Sequence, residues 1–157
     1  DELCKRWKIN FLPSDNEYVY AENNNKVLLI KPTTGMNNSG IIIKSVIKKW
    51  NLKLENLFVI FDDVDLPLGS LRIRPSGGDG CHRGMESIIY RLGNNKFPRI
   101  RFGIAAGKNL RPAEEYVLKN FRRKDQVLAD EVIVKAADAV ESIINNGLNK
   151  TMNQYNA

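Results

Sequence analysis

The only histidine of the chain, His82, stands in "RIRPSGGDGCHRGMES", where four of the eleven glycines fall within eight residues. An imidazole can trade a proton near neutral pH, and glycines let backbone N–H groups face an anion at a helix start. The helix dipole there disfavours an imidazolium, so His82 is expected to be neutral. A tight turn would explain one or two of these glycines, and a lone histidine more often packs than reacts. The spacing of Gly78, Gly80 and Gly84 resembles that of dinucleotide sites. Such sites follow a buried strand, whereas "LRIR" is charged and half exposed.

Three carboxylates, Asp62, Asp63 and Asp65, close the apolar run "LFVIFDDVD". Two chemistries fit them. Asp62 can orient and stabilise a histidine general base. Alternatively, Asp63 and Asp65 carry the Asp-x-Asp spacing that holds Mg²⁺ in phosphotransferases. As plain loop caps they would do neither. In "KPTTGMNNSG", Asn37 offers an amide to a ligand carbonyl and Met36 a pliable apolar wall. Asn38 and Ser39 suit a helix cap. Arg74 and Arg101, on separate strands, can clamp a phosphate bidentately or stand as ordinary surface arginines.

The elements that must position these groups alternate in type. "DELCKRW" has helical spacing, with Leu3 and Trp7 on one face. "EYVYAE", an "NNN" turn and "KVLLIKP" predict a hairpin whose second strand, 27–30, is buried on both faces. A helix capped by Asn38 or Ser39 follows, its inward stripe Ile43, Val46, Ile47 and Trp50. "LFVIFDD" predicts another buried strand. "SLRIRP" predicts an amphipathic one, with Arg72 and Arg74 on a shared face. The glycine loop leads into a helix ending near Leu92. "RIRFGIA" is a further strand, with Arg99 and Arg101 on one face. A short helix near 112–119 and a long one from Lys124 to Asn146, closed by Gly147, complete the chain. The fold class is α/β: one domain over 1–157, a twisted mixed sheet flanked by helices.

At 157 residues the chain suits one domain with a real core. No run of about 18 apolar residues exists, so no membrane partner is expected. Cys4 and Cys81 lack zinc-ligand spacing, so no metal site is expected from them. Free thiols without a secretory signal fit the cytoplasm. The net charge of +6 favours an acidic partner, nucleic acid first.

Taken together, "KVLLIKPTTGMNNSG", "LFVIFDDVDLPLGSLRIRPSGGDGCHRGMESII" and "FPRIRFGIA" resemble, in order and spacing, the bacterial-type peptidyl-tRNA hydrolase family. The resemblance spans nearly the whole chain, "TMNQYN" included. It implies a monomeric esterase without metal or cofactor, which cleaves the ester between a peptide and the tRNA 3′ end. Its partner is peptidyl-tRNA released in aborted translation. By resemblance, Met36 and Asn37 line the peptide groove, and Asp62 pairs with the catalytic histidine. Gly80, Cys81, His82 and Arg83 grip the peptide end, while Arg74 and Arg101 hold tRNA phosphate.

Four departures bear on these expectations. Arg83 stands where the family usually has asparagine, Cys81 where it has glycine, and Gly35 where it has an aromatic residue. The family also opens with a buried strand, an Asn-Pro-Gly turn and the catalytic histidine at a helix start, whereas this sequence begins within that helix. His82 matches a different, substrate-side histidine. The expectation is therefore a chain without the base, with little or no hydrolase activity alone and with a sheet edge left open. A non-catalytic RNA-binding protein on the same fold, splicing-factor-like, is the alternative.

Overall fold

In the computed structural model, which describes residues 1–24, 27–107, 110 and 112–156, Asp1–Leu57 packs with Gly77–Lys96 as one unit. Phe58–Ser76 packs with Phe97–Ala157 as another.

The first unit opens with α1 (Glu2–Trp7), which buries Leu3 and Cys4 and stops at Lys8 in the left-handed conformation. Two backbone bonds, Ile9 N–H to the Cys4 carbonyl and Lys8 N–H to the Lys5 carbonyl, close the helix end. An antiparallel sheet follows in the order β1 (Leu12–Pro13), β2 (Tyr18–Glu22), β3 (Leu28–Pro32). The predicted hairpin is formed, with Tyr20 opposite Ile30. Asn25 of its "NNN" turn lies outside the described residues. The strand expected to be buried on both faces is only half-buried. Side chains alternate along it, so Leu28 and Ile30 reach the core while Leu29 faces the other way.

That core is Tyr18, Ile42 and Val46, ringed by Tyr20, Leu28, Ile30, Trp50 and Leu52. Trp50 meets Tyr18 edge-on, with ring centres 6.2 Å apart. The inner stripe of α2 (Ser39–Trp50) differs from the expected one in its first turn. Ser39, Gly40 and Ile42 are buried with Ile43 and Val46, whereas Ile47 and Trp50 are half-buried. The cause is α3 (Arg83–Leu92), which crosses α2 there: the Gly40 N–H donates to Ser87 Oγ at 3.0 Å. Gly93 ends α3 in the left-handed conformation.

The second unit holds a mixed sheet in the order β4 (Val59–Pro67), β6 (Arg99–Ala105), β5 (Leu71–Arg74). β4 is parallel to β6 and β5 antiparallel to it. The α/β class with a mixed sheet is thus realised, alongside the separate antiparallel sheet. "LFVIFDD" differs from its expected buried strand. β4 starts at Val59, continues to Pro67 and alternates: Phe61 and Asp63 are buried, while Ile60 is 43% exposed. One face of the strand is covered, at Phe61 and Asp63, while the other is open at Ile60. The parallel register runs from Val59–Asp63 against Arg99–Gly103 and then slips, so that Pro67 meets Ala105.

α5 (Gln126–Asn146) buries Val132, Ala139 and Ile143 against Leu71, Ile73 and Ile100, and Leu148 and Met152 of α6 (Leu148–Tyr155) pack against this cluster. Gly147, at φ 84°, separates the two helices. The short helix α4 covers only Ala113–Tyr116, not 112–119. Pro112 lacks an N–H and occupies its N-cap; Arg111 lies outside the described residues. Tyr116 fixes the chain beyond β6, donating its hydroxyl to the Ile104 carbonyl and accepting the Ala106 N–H. The side-chain amide of Asn156 pairs with the outer edge of β5, accepting the Ile73 N–H at 2.7 Å and donating to its carbonyl at 2.9 Å. Among the described residues no helix is long and apolar enough to cross a membrane.

Candidate functional site

The candidate residues fall into two groups, one in each unit. In the first, a 3₁₀ turn at Met36–Asn38 leads into α2 and lies against the start of α3. Ser39 Oγ donates to the Met36 carbonyl and so closes the turn. The caps expected from Asn38 and Ser39 are not made: Asn38 holds the N-cap position of α2 without a side-chain bond to the helix. Met36 and Asn37 are exposed. Gly84 is what brings Met36 and His82 together. A Cβ there would lie 2.6 Å from Met36 Sδ and 2.9 Å from the His82 ring.

His82 is the N-cap of α3, its Nδ1 accepting the Met85 N–H at 3.1 Å. An accepting Nδ1 is unprotonated, so a neutral ring carries its proton on Nε2 and donates from there. Replacing His82 with alanine should cost about 1 kcal/mol in a urea titration, as for other lost N-caps. Asparagine, which keeps an acceptor at the cap, should recover most of it.

The glycine loop is wired differently from expectation. The backbone N–H groups of Cys81 and His82 do not wait for a ligand. Asp79 takes both, through Oδ1 at 2.7 Å and through its carbonyl at 3.1 Å. Gly80 has the positive φ that favours glycine, and Cys81 adopts the same left-handed conformation at φ 59° without being glycine. Cys81 is exposed, and Arg83 opens α3.

In the second unit, register places Arg101 opposite Arg72 and Arg99 opposite Arg74, so four arginines share one face of the sheet. Arg74 is exposed. Arg99 is buried beside the Phe97 ring, its guanidinium 4.7 Å from the ring centre. Burial first, and the charge of Arg101 second, hold it below the usual arginine value. Arg101 is bound by Asp63, whose Oδ2 accepts from Nε at 2.5 Å. Asp63 Oδ1 accepts the Asp65 N–H at 2.8 Å. Both carboxylate oxygens of Asp63 are thus engaged within the chain, one by Arg101 and one by the Asp65 backbone. Asp62 is half-buried and, one residue along the strand, faces the opposite side of the sheet.

Sequence reasoning missed Gly40, Asp79 and Ser87, and it gave Asp63 and Gly84 roles other than those that the contacts show. Two of the missed residues carried a signal. Glycines in a first helical turn mark close approach, and Asp-Gly-Cys has the spacing of an Asx-turn.

The architecture is that of a solved hydrolase. The crystal structure of the peptidyl-tRNA hydrolase of Acinetobacter baumannii matches with a TM-score of 0.90 and 26% identity, over 99% of this chain and 81% of that one. The peptidyl-tRNA hydrolase of Thermoanaerobacter sp. (strain X514) is 42% identical over 159 residues, covering 99% of this chain and 85% of its own length. That of Thermodesulfovibrio yellowstonii is 41% identical over 161 residues, with the same coverage. The family model described as peptidyl-tRNA hydrolase matches residues 1–157. The chain belongs to the peptidyl-tRNA hydrolase family.

Proposed function

We propose that the protein hydrolyses the ester between a peptide and the 3′ end of tRNA, recycling tRNA from peptidyl-tRNA released in aborted translation. The observation that carries this reading is the family match over all 157 residues. Water attacks the ester carbonyl while an imidazole takes its proton; the bond to the terminal ribose oxygen then breaks, and that oxygen leaves protonated. Asp62 is the carboxylate that orients the imidazole and stabilises it once charged. Asn37 turns its amide toward the developing oxyanion, and Met36 forms an apolar wall for the peptide. Gly80, Cys81, His82 and Arg83 grip the peptide end, and Arg74 and Arg101 take tRNA phosphates.

His82 acts in this scheme as a donor to substrate. Its Nδ1 is engaged by the Met85 N–H, which leaves no lone pair on Nε2 to accept a proton. The 157 residues contain no second histidine. The scheme needs no metal or cofactor, and the protein works as a single-domain monomer in the cytoplasm.

The test is filter binding of N-acetylphenylalanyl-tRNA and of uncharged tRNA to the chain, with hydrolysis measured on the protein as its gene encodes it. About a tenfold preference for the acylated form is expected, together with release of free tRNA by the gene-encoded protein. Equal affinities and no release would favour RNA binding without catalysis on the same fold.

A further inference from the structure

Asp63 is the one buried carboxylate among the described residues, 5% exposed. It lies on β4 two residues beyond Phe61, the register partner of Arg101, and so reaches that arginine diagonally on the arginine-bearing face. Oδ2 accepts from Nε and pairs with the adjacent Nη2, each at 2.5 Å. A guanidinium offers five N–H donors in one plane, on a side edge and an end edge. Asp63 takes the side edge. Three donors remain, on a side chain that is 30% exposed, and Asp63 is its only ion-pair partner among the described residues. A planar fork held by one edge has its direction set for a second acceptor at the other.

We infer that Asp63 is a positioning residue for tRNA, fixing the Arg101 guanidinium so that its end edge meets a backbone phosphate. This rests on the reading of Arg101 as a phosphate contact. Two physical effects of removing the Asp63 charge oppose each other, which makes the inference testable. The field alone predicts tighter tRNA binding, because a negative charge near the phosphate is gone. Loss of orientation predicts weaker binding and one fewer phosphate contact. The fork geometry favours the second, since an unheld arginine must be ordered anew by each phosphate that it binds.

The experiment is equilibrium binding of uncharged tRNA to the chain across a salt series, for wild type, D63N, R101Q, R101K and the double variant D63N/R101Q. Thermal melting serves as a control for folding. About fivefold weaker binding is expected for D63N and about tenfold for R101Q, each with a salt slope smaller by about one. The double variant should bind like R101Q, because Asp63 acts only through Arg101. A folded D63N that binds as tightly as wild type, or more tightly, overturns the inference. Should D63N not fold, R101K decides. Lysine keeps the charge but lacks the fork, so binding as weak as in R101Q supports orientation and wild-type binding overturns it. An R101Q variant that binds like wild type also overturns the inference. The hydrolase reading is judged separately, by the preference for acylated tRNA.

Discussion

Replacing Gly103 with alanine should destabilise the protein by about 3 kcal/mol or more, lowering its melting temperature by about 10 °C. A Cβ at this position would fall inside the Pro67 carbonyl oxygen, 2.6 Å from Ser70 Oγ and 2.7 Å from the Leu66 carbonyl oxygen. Two of these three obstacles are backbone, and the turn that carries them cannot retreat freely. It is tied to β6 by the Gly103 N–H to the Ser70 carbonyl at 2.8 Å and by the Leu68 N–H to the Ala105 carbonyl at 2.9 Å. Relief of the clash therefore breaks bonds at the point where the parallel register ends. Asp63 is the register partner of Gly103, so the same change should loosen Arg101 and weaken tRNA binding. Urea denaturation read by circular dichroism measures the stability. A loss below 1 kcal/mol would mean that the turn can yield.

The second large effect is expected at Gly40, where two rules give opposite signs. Alanine in place of a helical glycine ordinarily stabilises by about 1 kcal/mol. Here a Cβ would collide with the Ser87 carbonyl, standing 2.5 Å from its carbon, and would sit 2.8 Å from Arg91 Cγ. The arginine can move, but the carbonyl belongs to the backbone of α3. The helices must part by about an ångström, losing close packing and the bond from the Gly40 N–H to Ser87 Oγ. A net loss of about 3 kcal/mol is expected, the steric effect prevailing. Gly40 follows the Met36–Asn38 turn, and α3 begins beside His82. Parting the helices should therefore also narrow the preference for acylated over uncharged tRNA. Denaturation and paired binding curves check both effects, and a stabilised G40A variant would refute the close crossing.

The sequence reading succeeded where one face of an element is wet and the other dry. "SLRIRP" alternates because Leu71 and Ile73 enter the core while Arg72 and Arg74 do not, and the residues say so directly. It failed where an apolar run conceals its faces. The strand 27–30 read as buried on both faces and "LFVIFDD" as buried, because apolar side chains give no sign of which one is left outside. The two adjacent aspartates were ambiguous for the same reason. Only the partner strand shows that Asp63 shares a face with Arg101 and that Asp62 does not. The glycine loop was legible as a loop. That Asp79 takes its inner N–H groups depends on the left-handed turn at Gly80 and Cys81, which residue types suggest only in part. Family membership was legible because three separate motifs agreed.

The amide of Asn156 gives the sheet an unusual dependence. At Ile73 the outer rim of β5 is met by a side chain that mimics a neighbouring peptide group, 83 residues away in sequence. Were α6 to unwind at Tyr155, Ile73 would lose both of these partners and a naked ribbon edge would be open to recruitment by a stray strand.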